Sequence, residues 1–139
     1  MTHKIIEDES GRLVIIRFSG TLDDEAMLEM REELYLMSSH AKADQFIDFS
    51  GVVKFDVTFD GATDYSETAI ERPESLAADA GRKMVVLAPG DLAFGMSRFM
   101  ATKAEQAGFN FMVFRDMESA KEYLGSDPSE QKSEQNGQS

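Results

Sequence analysis

The run "IDFSGVVKFDVTF" (residues 47–59) begins as a strand and ends at the start of a helix, and the place where it changes decides how the chain is built. Thr58 carries the kind of hydroxyl that caps a helix by accepting a backbone N–H of the first turn. Val53, Phe55, Val57 and Phe59 alternate with other residues, a period that turns all four into a core. Upstream, "RLVIIRF" (12–18) is rich in β-branched residues and follows "KIIEDESG", whose Ser10-Gly11 suits a hairpin turn, so two antiparallel strands are expected first. From Leu22 to about Ser39, Met27, Met30, Leu34 and Met37 recur at helical steps; Thr21, with Asp24 three places on, supplies a capping signature. Downstream, "QFIDF", "KMVVLA" and "FNFMVF" read as short buried strands separated by segments long enough for crossover helices. The pattern is β-β-α-β-α-β-α-β-α. It predicts an α/β fold: a mixed β-sheet of about five strands, opened by an antiparallel hairpin and flanked by about four helices.

Composition narrows the chemistry. With 139 residues and 42% apolar content, one domain can bury its own core without metal or disulfide support. There is no cysteine, which removes thiolate nucleophiles and sulfur-rich zinc sites and agrees with a reducing, cytoplasmic setting. The start, "MTHKIIEDES", has no signal-peptide core, and no apolar run reaches the roughly 18 residues a membrane span needs. Against 14 Lys and Arg stand 26 Asp and Glu; the net charge of −12 repels nucleic acid and anionic lipid, leaving membrane contact at most peripheral. After Leu124 the apolar residues stop, so the domain is read as 1–125 and residues 126–139 as a disordered polar tail.

Two stretches are candidates for recognition. In "APGDLAFGMSRFMATKAEQAG" (88–108) a strand ends in Pro-Gly and Asp91 stands at the N-cap of a helix, where open α/β sheets commonly bind ligands. No phosphate-loop motif is present, and Asp91 would oppose an anion there. Leu92, Phe94, Met96, Phe99 and Met100 spread over more than one helix face, as ordinary core or as the lining of an apolar groove. Gly95, costly within a helix, suggests close packing against a strand or ligand. In the second stretch Asp60, Asp64, Glu67, Glu71 and Glu74 form an acidic stripe unless Pro73 breaks the helix; the stripe reads as a solvated face. Residues 56–79 hold Arg72 as their single base, so a basic protein patch is the target such a face would suit. No metal or cofactor is called for. His3 and His40 stand near no nucleophile motif and "GxSxG" is absent, so no catalytic residues are expected.

"VIIRFSGTLDDEAMLEM", "IDFSGVVKFDV", "VVLAPGDLAFGMSRFM" and "VFRDMESAKEYLG", in this order over about residues 3–124, resemble the SpoIIAA-like proteins of the STAS (sulfate transporter and anti-sigma-factor antagonist) domains. "LAFGMSRFM" and "VFRDMESAKEYL" are the most specific parts. The resemblance implies a mixed sheet flanked by helices, a non-enzymatic bacterial role, and kinship with folds that bind hydrophobic small molecules. In anti-sigma-factor antagonists the loop after the central strand carries Asp and then a Ser that a partner kinase phosphorylates. Asp56 matches the Asp, and Val57 stands in place of the Ser. Thr58 is the nearest substitute, but a phosphate there would bring a charge of about −1.5 to −2 between Asp56 and Asp60. The resemblance, together with the acidic surface, therefore points to a protein partner at Asp56, Thr58 and Asp60, on a surface that continues over the acidic helix and the helix start at Asp91. The alternative is a carrier of a hydrophobic molecule or lipid with transient membrane association, its groove formed by Asp91, Leu92, Phe94, Met96, Phe99 and Met100. A homodimer is compatible with either.

Overall fold

The computed structural model describes residues 2–8, 12–36, 43–71, 83–106, 110–125 and 127–128. Five strands form one sheet in the order in which they occur in the chain. They are β1 (Thr2–Glu7), β2 (Leu13–Asp23), β3 (Asp44–Asp56), β4 (Lys83–Leu87) and β5 (Asn110–Phe114). β1 pairs antiparallel with β2, and every later pairing is parallel. The four described helices are α1 (Asp24–Tyr35), α2 (Phe59–Glu71), α3 (Asp91–Gln106) and α4 (Met117–Leu124). The mixed sheet, its opening hairpin and the flanking helices agree with the sequence reading. Ser10 and Gly11 lie outside the described residues; beside them Asp8 closes the hairpin, its carboxylate accepting the N–H groups of Arg12 and Leu13.

Leu13, Val14, Ile15 and Ile16 are all buried, because β2 lies inside the sheet with apolar layers on both faces. On the first face Val14, Ile16, Phe18 and Leu22 meet Ala26, Met27, Met30 and Leu34 of α1, with Ala62 of α2 and Ala93 of α3 in the same cluster. On the second face Ile6, Leu13, Ile15, Phe46, Val85 and Leu87 lie under Ala120 and Leu124 of α4. That helix has clear ends. The Asp116 carboxylate accepts the Ser119 N–H, and Gly125 closes the other end at φ 86°, a left-handed conformation that favours glycine.

β2 and β3 run on together past the end of β4, whose last partner in β3 is Asp48. This ribbon bends. Phe49 and Phe55, six positions apart, would be roughly 20 Å apart on a straight strand. Their ring centroids are 5.8 Å apart. The bend follows two register shifts, between Arg17 and Ser19 and between Gly20 and Thr21, with Gly20 at φ 80°. A Cβ on Gly51 would come within 2.8 Å of the Phe18 carbonyl oxygen, so the close approach of the two strands requires glycine there.

The ribbon corrects three expectations. Thr21 does not cap α1: it pairs with Lys54 within the strand, and the cap is Asp23, whose carboxylate accepts the Ala26 N–H. "SGVVKFD" carries β3 well beyond the short run "QFIDF", to Asp56. The irregular pairing breaks the alternation, so Val53 is 88% exposed while Val52, Phe55 and Val57 pack inward; Phe59, the first residue of α2, is 60% exposed.

Candidate functional site

The loop singled out in the sequence meets α1 at one carboxylate. Asp24 Oδ1 accepts the Thr58 N–H (2.9 Å) and Oδ2 accepts the Thr58 hydroxyl (2.7 Å). The same Thr58 oxygen accepts the Gly61 N–H (2.9 Å), the helix cap expected of it. Two helix N-termini therefore converge on Asp24, whose negative charge opposes both partial positive ends. Gly61 makes room for it, since a Cβ there would overlap the Asp24 carboxylate. Sequence reasoning missed Asp24 as a member of this loop because its contact spans 34 positions of chain.

Behind this junction a groove of about 510 Å³ opens between α1 and α2. Leu28, Val57 and Tyr65 contribute its apolar surface, and Asp24, Asp60 and Asp64 its acidic rim. Arg31 is mostly buried: it donates to the Tyr65 carbonyl at 2.9 Å and lies 4.5 Å from the Tyr65 ring centre. Thr58 and Asp60 are thus brought into one concavity. Asp56 is exposed at the ribbon tip, paired in register with Asp23, and Val57, at the position of the family's phosphorylated Ser, is only 7% exposed. Along α2 the acidic stripe includes Glu67, which reaches Lys103 of α3 at 3.4 Å; the Glu71 side chain and residues 72–74 lie outside the described set.

Asp91 belongs to a different neighbourhood. It is the first residue of α3 instead of the cap, since Gly90 accepts the first helical hydrogen bond, from Phe94. Its carboxylate takes Arg115 at 2.6 Å, and the same Arg115 nitrogen donates to the Pro89 carbonyl. Phe94 lies under Arg115 and Arg98, at 5.0 and 5.7 Å. Leu92 is exposed, Phe99 stacks on Phe59 at 4.6 Å, and Met96 packs against the first-face core. Met100 faces inward, where with Met27, Met30 and Met84 it lines a cavity of about 60 Å³. Gln45 and Ser97 also line this cavity, and both are buried.

The buried residues of α3 are small, Ala93, Ser97, Ala101 and Ala104, and its larger apolar side chains are partly buried or, like Leu92, exposed. Gly95 contradicts its expected role: a Cβ there meets nothing within 4 Å, so no close packing calls for the glycine. His3 hydrogen-bonds Glu33 at 2.8 Å, and His40 lies outside the described residues. Among the described residues no three His, Asp or Glu side chains are grouped to hold a metal ion.

The arrangement matches a solved structure: an uncharacterised protein from the DUF3478 family with a SpoIIAA-like fold, from Shewanella loihica PV-4. The two share 15% identity and a TM-score of 0.54 over 88% of this chain and 92% of that one. The fold is SpoIIAA-like. No protein-family model matches the chain, and no curated protein matches its sequence. No helix among the described residues is long and apolar enough to cross a membrane.

Proposed function

We propose that this chain is a non-enzymatic, cytoplasmic STAS-like module that binds a protein partner in the groove between α1 and α2. The supporting observation is the junction itself, which fixes an acidic rim beside exposed apolar side chains. Asp24, Asp60 and Asp64 edge the groove, while Leu28 and Phe59 stay in solvent. A partner carrying Lys or Arg around an apolar anchor complements that surface, and the net charge of −12 speeds its encounter. Control by phosphate is not part of the proposal. The Thr58 hydroxyl donates to Asp24, so a phosphate would remove that donor and crowd a carboxylate with like charge. Affinity capture from the native host, followed by calorimetry with the recovered partner, tests this reading. The Asp60→Asn, Asp64→Asn double variant is expected to bind more weakly and with a shallower salt dependence; equal affinity would sink it.

A second reading, carriage of a hydrophobic molecule with transient membrane contact, is favoured by the methionine-lined cavity, because unbranched thioether side chains repack around varied shapes. At about 60 Å³ the cavity is far smaller than a lipid, so α2 and α3 would have to part to admit one. Native mass spectrometry after mild purification decides it: a retained apolar ligand supports carriage, and a clean apo mass from several hosts opposes it.

A further inference from the structure

Among the described residues, no helix covers the second face of the sheet along its whole length. α4 covers the rows of Ile15, Phe46 and Val85, and beyond them a hollow of about 640 Å³ lies over three neighbouring strands. Its lining includes Lys4 of β1, Arg17 of β2, and Asp48 and Ser50 of β3. Lys4 stands directly opposite Arg17 in the antiparallel register, and Arg17 opposite Asp48 in the parallel one. Two cations facing each other across an antiparallel pair destabilise it. In a chain with 26 acidic residues, none of the described ones forms an ion pair with Lys4.

Arg17 is held from two sides. Its Nε lies 3.6 Å from the Asp48 carboxylate, and its Nη2 donates to the Pro128 carbonyl at 3.2 Å. Asp48 is itself fixed, 6% exposed and accepting the Ser50 N–H at 2.8 Å. A guanidinium carries five N–H donors, so some remain for another acceptor after these contacts. The result is an Arg anchored at two points beside a Lys with no described partner and an exposed Ser50, all lining one hollow.

We propose that this hollow binds the phosphate group of a small molecule, with Lys4, Arg17 and Ser50 as its donors. Three donors from three strands suit an anion with at least three acceptor oxygens better than a carboxylate with two. Charge-assisted hydrogen bonds to such a group are the strong ones, and the volume leaves room for the rest of a metabolite-sized ligand. Asp48 and the overall negative charge work against the anion, so free inorganic phosphate binds weakly and the rest of the molecule supplies additional affinity. The site is on the opposite face of the sheet from the α1–α2 groove and does not depend on the partner-binding reading.

Inorganic phosphate is the probe, titrated into the full chain by ¹⁵N-correlated NMR at constant ionic strength with sodium chloride. Saturable shifts confined to the amides around Lys4, Arg17, Ser50 and Gly51 are expected. Lys4→Gln should weaken binding about tenfold, the loss of one charge-assisted contact. Ser50→Ala should weaken it less, and Lys54→Gln, elsewhere on the surface, not at all. All three positions are exposed, so the variants should fold. Shifts that do not saturate, or that persist unchanged in both Lys4→Gln and Ser50→Ala, mean an adventitious ion only and overturn the site.

Discussion

Gly61 lacks a side chain because the Asp24 carboxylate occupies the space one would need. Replacing it with Ala should therefore destabilise the protein by about 1–3 kcal/mol through overpacking, even though Ala is the better helix former. In an Asp24→Gly background the sign should reverse, to a gain approaching about 1 kcal/mol. Urea unfolding of the four proteins of the cycle measures this, and an identical Gly61→Ala effect in both backgrounds would disprove the steric explanation. Thr58→Val, which keeps the shape and removes the hydroxyl, should cost about 1–2 kcal/mol by losing the cap and the bond to Asp24. Of this junction the sequence disclosed Thr58, because capping is local. Asp24 was hidden: a bond across 34 positions leaves no trace in spacing.

At the level of elements, α3 and the β2–β3 ribbon departed furthest from the pattern in the sequence. Hydrophobic periodicity weighs Phe and Met heavily, yet the buried residues of α3 are Ala93, Ser97, Ala101 and Ala104, while Phe94, Met96, Phe99 and Met100 are only partly buried. Position 95 is the open side of that helix. Gly95→Ala should raise stability by about 0.5–1 kcal/mol, read as a higher urea midpoint at unchanged slope. The ribbon differs for another reason: the apolar run "QFIDF" marks only the first part of β3, and pairing with β2 carries the strand on to Asp56. Gly51→Ala should be costly, since the Phe18 carbonyl oxygen stands 2.8 Å from the added carbon and belongs to backbone that cannot rotate away.

For the molecule as a whole, the fold class was legible because four of the strands contain short apolar runs set apart by helix-length segments. The C-terminal boundary was less so. Of the polar segment expected to be free from residue 126, Asp127 and Pro128 are described, and both touch the domain: Asp127 approaches Lys121 at 3.6 Å, and Pro128 is buried with its carbonyl on Arg17. The rest of that segment lies outside the described residues. The Lys121 ammonium is raised above its ordinary value near 10.5, first by its hydrogen bond to Glu118 and then by the charge of Asp127. A raised folded-state value means the contribution is complete below that ordinary value and is lost as pH climbs through the raised one. Alkaline unfolding curves of the wild type and Asp127→Asn should accordingly agree above the transition and separate below it, with the variant the less stable.

The sheet's strand order repeats the order of synthesis, so every new strand joins the outer edge of what already exists and none must be inserted between two others. A chain emerging from a ribosome can lay down its hairpin, add β3 alongside, and then extend one edge outward without undoing an earlier pairing. Assembly can thus keep pace with translation, and throughout elongation the growing side of the sheet, like the outer edge of β1, needs shielding from neighbouring chains.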